Sequence, residues 1–211
     1  MSDELREPPY GPRFGDALVV AAELHATQWR KNAGDGTAPV VPYVAHLLEV
    51  AALVWMGGGD EDQAIAGLLH DALEDQSDKI TADDIEERFG VRVRDIVEAC
   101  SDGETGGVRT RDNWLERKQA YLERLELERE DALLVSVADK VSNARATVDD
   151  LNAGYDVWKI YKADPSNVAW YYQSVLRVAE DRLAGNPLTR QLSPLVTRIA
   201  TAASHVDPVN T

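Results

Sequence analysis

The chain has 211 residues, 44% of them apolar and 28% charged, and carries a formal net charge of −15. That length suits one ordinary domain, with or without an added helical tail, and the apolar content excludes a disordered chain. The acidic balance disfavours nucleic acid and anionic membranes as partners, and a single cysteine, Cys100, excludes an internal disulfide.

The opening segment, MSDELREPPYGPRFGD, is polar and proline-rich. It lacks a basic stretch followed by an apolar one, so it does not read as a signal peptide, and no apolar run reaches membrane-spanning length. A soluble cytoplasmic protein is the expectation. Apolar positions at 14, 17, 18, 21 and 24 predict a helix over 14–31, followed by a polar loop at 32–39. Pro42 suits the first position of a helix over 42–56. The run GGGD at 57–60 separates it from a helix over 61–75. Thr81 with Asp84 has the form of an N-terminal cap for a short helix ending near Gly90. Residues 91–101 predict another helix, in which Cys100 reads as a small buried hydrophobe. A loop at 102–110 precedes helices at 111–128 and 131–151. Residues 155–162 are ambiguous. Helices at 165–184 and 188–204 are divided by Gly185, Asn186 and Pro187. No alternating strand pattern or repeat is visible, so the predicted fold class is all-α, a helical bundle, read as one domain with a core over about 14–185 and a C-terminal helical extension.

The segment AGLLHDALED at 66–75 carries the chemistry. At roughly 100° per residue, His70, Asp71, Glu74 and Asp75 share a polar arc of roughly 140°, opposite Leu68, Leu69, Ala72 and Leu73. Gly67 falls in that arc, where a missing side chain would leave room. An ordinary exposed face mixes lysines and arginines among its acids, and this face has none. Adjacent His and Asp can share one metal ion, and imidazole nitrogen with carboxylate oxygen suits Mn²⁺, Fe²⁺ or Zn²⁺. Partners for them stand at His46, in VPYVAHLLEVA, and at Asp139, in LLVSVADKVSNAR. An aspartate after LLVSVA is costly to bury unless it is paired or bound to metal. Asn143, one turn on, shares its face. Each residue alone has a plainer explanation: a satisfied core histidine at 46, an Asp139–Arg145 ion pair, a solvated helix end at Glu74 and Asp75.

The order His, His-Asp, Asp resembles the signature of HD phosphohydrolases. HATQWRKN at 25–32, PYVAHLLEVA at 42–51, AGLLHDALEDQ at 66–76, FGVRVRDIVEACSD at 89–102, ERKQAYL at 116–122 and VADKVSNAR at 137–145 follow in the order of RelA/SpoT-type hydrolase domains. The chain looks most like the small stand-alone alarmone hydrolases, over roughly 14–185. The resemblance implies an HD-domain helical bundle with His46, His70, Asp71 and Asp139 as ligands of one divalent metal ion, Mn²⁺ in that family. It implies that Glu74 and Asp75 position and activate the attacking water, that Asn143 contacts the nucleotide, and that Arg30 and Lys31 lie near the phosphates or base. Lys140 and Arg145 are further candidates to neutralise phosphates. The implied reaction removes the 3′-pyrophosphate from guanosine tetra- or pentaphosphate. His25 reads as a structural histidine behind the site, and His205 has no assigned role.

Three features depart from the family pattern. The connection between Lys31 and Tyr43 is longer, Ser142 and Ala144 flank Asn143 in place of Tyr and Leu, and the helix with Trp170 and Tyr171 aligns poorly. Other readings therefore stay open. One is an HD hydrolase for another nucleotide: an adenine alarmone, a nicotinamide cofactor phosphate or a nucleoside monophosphate. Another is a non-catalytic protein of this fold, of the antitoxin type. Trp158, Trp170, Tyr171 and Tyr172, at helical spacing, are expected in the core.

Overall fold

The computed structural model describes residues 10–31, 40–101, 110, 113–161 and 163–206. The polar N-terminal segment up to residue 9, the 32–39 loop, most of the 102–110 loop and the first two residues of the helix expected from 111 lie outside the described residues. Among the described residues the chain forms α1 (Pro12–Leu24), α2 (Val44–Met56), α3 (Glu61–Leu69), α4 (Ala72–Asp75), α5 (Ala82–Phe89), α6 (Val91–Cys100), α7 (Trp114–Leu127), α8 (Glu130–Asn152), a 3₁₀ turn (Val157–Lys159), α9 (Pro165–Arg182) and α10 (Pro187–Ala203). No strand accompanies them among those residues, and the all-α expectation is borne out. No helix among them is long and apolar enough to cross a membrane.

The bundle is built around α3. Its first turn is held by Asp60, whose side chain accepts from Gln63 N at 3.1 Å while Gln63 Oε1 accepts from Asp60 N at 3.0 Å. That reciprocal cap satisfies amides that would otherwise be orphaned at a buried helix start. Every residue from Gln63 to Leu69 is buried, and α1, α2, α6 and α8 pack around the helix. A helix covered on all sides has no solvated face, so its C-terminal end delivers the next residues, His70 and Asp71, into the interior. The long helix α8 is likewise buried without interruption from Ala132 to Asp139.

Gly67 does not open onto the polar arc. A Cβ there would lie 3.3 Å from Ala51 Cα and 3.5 Å from Val50 Cγ1 on α2. Its missing side chain lets α2 and α3 pack backbone to backbone, which sets the separation of His46 on one helix from His70 on the other.

Two of the predicted helices are shorter or broken. The one expected over 14–31 stops at Leu24. Beyond it, Arg30 N donates to Val41 O at 2.9 Å and Tyr43 N donates to Gln28 O at 3.0 Å, around an antiparallel bridge between Trp29 and Pro42. Arg30 and Lys31 therefore do not stand at a helix C-terminus. Long-range pairing to Val41 and Tyr43 outcompeted the helical ladder. The helix expected over 61–75 is interrupted at His70 and Asp71, and Asp71 adopts φ −96° and ψ −1°. That sparsely allowed region is common at functional sites.

Other local expectations hold. Thr81 Oγ1 accepts from Asp84 N at 3.2 Å, and Gly90, at φ +92°, ends α5 where an L side chain would be strained. Asn186 caps α10 with Pro187 in its first turn, and α10 lies on α8 and α9. Tyr171 and Tyr172 are buried, with Trp158 and Trp170 packed against the same core. Cys100 was expected to be buried and is half-buried, packed against the core; its Sγ lies 3.6 Å from Ser136 Oγ, and desolvation pushes the thiol up to about 11.

Gly67→Leu is expected to destabilise the fold by about 1–3 kcal/mol through overpacking against Val50 and Ala51. Thermal unfolding of the metal-free protein checks this. A variant as stable as the wild type would show that the α2–α3 approach is not tight.

Candidate metal centre

Four of the residues singled out in the sequence converge at the end of α3. His46 comes from α2, His70 and Asp71 from the break after α3, and Asp139 from the middle of α8. His46 Nε2 lies 3.2 Å from Asp139 Oδ1 and 3.8 Å from Asp71 Oδ2. His70 Nε2 lies 3.0 Å from Asp71 Oδ2 and 3.6 Å from Asp139 Oδ1. His46 and His70 are 2% and 3% exposed, so water cannot replace any interaction they lack.

The outer nitrogens decide what the inner ones can do. His70 Nδ1 donates to Gly67 O at 2.9 Å, a carbonyl of its own helix. His46 Nδ1 lies 2.9 Å from Ser142 Oγ, which itself donates to Glu49 Oε2 at 2.6 Å, so the hydroxyl accepts from the imidazole. With both protons outside, both Nε2 atoms turn lone pairs toward the two carboxylates. His70 Nε2 is buried and forms no hydrogen bond among the described residues despite its nearness to Asp71. A buried lone pair facing carboxylates is satisfied by a cation shared between them. His46, His70 and Asp139 each offer one ligand atom, all within 4.8 Å of one another, and could hold a metal ion. Asp71 stands just outside that trio, its Oδ2 accepting from Tyr43 Oη at 2.5 Å.

The electrostatics agree. Burial lowers the His46 pKa below the usual histidine value, despite Asp139 beside it. Burial presses His70 the same way, but Asp71 and Asp139 outweigh it and hold its pKa well above that value. Burial alone would raise both carboxylates. His70 instead holds Asp71 low, and Lys140 with the two histidines holds Asp139 well below the usual range. The cluster stabilises positive charge at its centre, taken by His70 as a proton where no metal ion supplies it. Burial, then Asp71, raises the Tyr43 phenol, so it remains a donor.

The other predicted residues divide. Asn143 Nδ2 donates to Asp139 Oδ1 at 2.5 Å, and Arg30 donates to Asn143 Oδ1 at 3.2 Å, so these two border the centre. Lys140 was expected on phosphate. Its Nζ instead folds back to Asp139 Oδ2 at 2.5 Å, with the Tyr121 ring 5.1 Å away. Arg145 does not pair with Asp139. Six residues further along α8, on another face of the helix, it donates to Glu49 at 3.1 Å and to Gln191. Asp75 is exposed and accepts from Gln28 Nε2 at 2.7 Å; Glu74 is half-buried beside it. Lys31 is exposed at the edge of the described residues. His205 is exposed and bonds to its own helix.

Several contacts were not read from the sequence. His25 stacks on Tyr43 with ring centroids 5.2 Å apart and bonds Gln28 at 2.7 Å, which makes it a support for Tyr43 and Gln28. The partners Tyr43, Gln28, Ser142 and Glu49 were missed. Ser142, three residues after Asp139, and Glu49, three residues after His46, each left the signal of a shared helix face. Two cavities, of about 340 and 560 Å³, lie elsewhere, around Lys79 and Arg88 and around Leu73 and Arg124, and none of the converging residues lines them. The centre is closed by its own hydrogen bonds, so an open volume is a poor guide to it.

Comparison with known proteins agrees with this geometry. The HD domain family model matches residues 17–159. The chain is 37% identical over 132 residues to guanosine-3′,5′-bis(diphosphate) 3′-pyrophosphohydrolase MESH1 of Xenopus tropicalis, covering 62% of this chain and 66% of that protein. Against the Homo sapiens MESH1 it is 36% identical, covering 65% and 68% respectively. The match thus spans about two thirds of these relatives. A solved structure described as a metazoan ortholog of SpoT that hydrolyzes ppGpp superposes with a TM-score of 0.66 at 25% identity, covering 90% of this chain and 96% of that one. A Listeria monocytogenes EGD-e protein superposes at 0.63 with 29% identity, over 74% of this chain and 99% of that one. The histidines and aspartates that define the HD pattern fall inside the matched span and meet in space, and the chain belongs to the HD domain family.

Proposed function

We propose that this protein is a metal-dependent phosphohydrolase that removes the 3′-pyrophosphate from guanosine tetra- and pentaphosphate. The observation that carries the reading is the pair of buried Nε2 lone pairs opposed to two carboxylates. The MESH1 relatives, named for this reaction, supply the substrate. In this reading His46, His70, Asp71 and Asp139 hold one divalent ion; mixed nitrogen and oxygen donors suit Mn²⁺, Fe²⁺ or Zn²⁺, and the family resemblance selects Mn²⁺ among them. Such an ion supplies Lewis acidity toward a phosphate oxygen and lowers the pKa of a coordinated water.

The chain's own residues do the rest. Asp75, held through one oxygen by Gln28 Nε2 at 2.7 Å, keeps the other to accept a proton from the attacking water, with Glu74 one residue away to orient it. Arg30, steadied by Asn143, offers its remaining N–H groups to the phosphates, and Lys31 lies next to it. Lys140 and Arg145 act on protein partners instead: Lys140 pins Asp139 Oδ2, so that Oδ1 faces the histidines. Tyr43 donates to Asp71 Oδ2, the same oxygen that faces His70, and so fixes that oxygen toward the centre. Water attacks the 3′-α-phosphorus, the one bonded to O3′; the P–O3′ bond breaks, O3′ takes up a proton, and the products are pyrophosphate and guanosine 5′-diphosphate or 5′-triphosphate.

The test is pyrophosphate release from guanosine tetraphosphate with Mn²⁺ and after chelation. Metal-dependent release with guanosine diphosphate as the other product is expected. Bound metal without turnover would overturn the substrate assignment and direct the search to other nucleotides. Asp71→Ala is expected to lose both metal and activity. Glu74→Gln is expected to keep metal while kcat falls by about 10²–10⁴-fold; a wild-type kcat would remove Glu74 from the mechanism. Tyr43→Phe removes a hydrogen bond to a ligand and is expected to weaken Mn²⁺ binding by about 10-fold or more in a calorimetric titration. Unchanged affinity would make the Tyr43 contact incidental.

A further inference from the structure

The two histidines are oriented in different ways. His70 leans on Gly67 O, three residues back in its own chain. His46 depends on residues far from it in sequence. His46 and Glu49 lie one turn apart on α2, and Ser142 and Arg145 one turn apart on α8, so the two pairs face each other as rungs. His46 Nδ1 donates to Ser142 Oγ at 2.9 Å, and Ser142 donates to Glu49 Oε2 at 2.6 Å. Arg145 donates to Glu49 Oε1 at 3.1 Å and, through its other terminal nitrogen, to Gln191 Oε1 on α10.

Proton counting makes this chain directional. A carboxylate only accepts, and a serine hydroxyl has one proton to give. Ser142 gives its proton to Glu49 and must therefore accept from His46, which leaves the imidazole proton on Nδ1 and the lone pair on Nε2. Ser142 is fully buried, so no water can take its place. A hydroxyl polarised by a carboxylate is a stronger acceptor, and that raises the basicity of the far ring nitrogen. Glu49 and Arg145 have side chains 38% and 36% exposed, so the outer end of the chain reaches the surface. Gln191 lies beyond residues 17–159, the span matched by the HD domain model.

We propose that Ser142, Glu49, Arg145 and Gln191 form a relay of positioning residues for His46, which strengthens its Nε2 as a ligand and makes metal affinity depend on the seating of α10. The inference rests on the metal reading above but not on which nucleotide is cleaved.

The test is calorimetric titration of the chelator-stripped full chain with Mn²⁺, without nucleotide, for the wild type, Ser142→Ala, Glu49→Gln, the double variant and Gln191→Ala. Unfolding temperatures of the metal-free proteins are measured alongside. Ser142→Ala is expected to bind about 10–100-fold more weakly. Glu49→Gln is expected to lose less, in the same direction, with a metal-free unfolding temperature within about 2 °C of wild type. The double variant is expected to be no weaker than Ser142→Ala alone, because Glu49 acts only through Ser142. Gln191→Ala is expected to show a smaller loss still. If Ser142→Ala does not fold, the half-exposed Glu49→Gln decides. Wild-type affinity in Glu49→Gln, or losses that add in the double variant, would overturn the relay and leave the metal reading standing. Unchanged affinity in Gln191→Ala would overturn the link to α10. A wild-type chain that takes up no Mn²⁺ would overturn the metal reading and the relay with it.

Discussion

Asp139 and two imidazoles are buried together, with the part-exposed Asp71 at their edge, and the bundle is arranged to make that tolerable. An isolated buried carboxylate is strongly unfavourable. Asp139 is accommodated because Lys140 and Asn143 hold it at 2.5 Å each and two imidazole nitrogens face its remaining side. Asp71 is accommodated by Tyr43 and by His70. Removing one partner leaves a charge without compensation, so each contact is worth more here than it would be at the surface.

The placement of these groups follows from how α3 is buried. A helix enclosed by α1, α2, α6 and α8 ends in the interior, and its last carbonyls carry partial negative charge. Gly67 O takes the His70 proton there, and the chain breaks from helical geometry at Asp71. With the break there, His70 Nε2 and Asp71 Oδ2 lie 3.0 Å apart. The bridge between Trp29 and Pro42 then brings Arg30 to Asn143 and aligns Tyr43 with Asp71. A segment that periodicity assigns to a helix thereby brings Arg30 to the edge of the centre.

The two histidines of the candidate centre are held with unequal independence. His70 bonds a carbonyl of its own helix, whereas His46 is held by hydrogen bonds that cross from α2 to α8 and on to α10. A side chain fixed locally survives rearrangement of the bundle, and one fixed through tertiary contacts reports on it.

Local order was legible in the residues themselves. The all-α class follows from 3.6-residue periodicity, the start of α5 from Thr81 and Asp84, and the break before α10 from Gly185, Asn186 and Pro187. The candidate centre was legible because His70 and Asp71 are adjacent on an apolar helix and Asp139 follows a run that must be buried. Those signals are short-range, set by backbone propensity and by the cost of burying charge. What tertiary structure alone decided is the set of partners. Ser142 meets His46 across 96 residues, Arg30 meets Asn143 across 113, and Tyr43 meets Asp71 across 28. Nothing in periodicity specifies which polar groups of two helices will face each other, because that depends on their separation and rotation, which only the packed bundle sets.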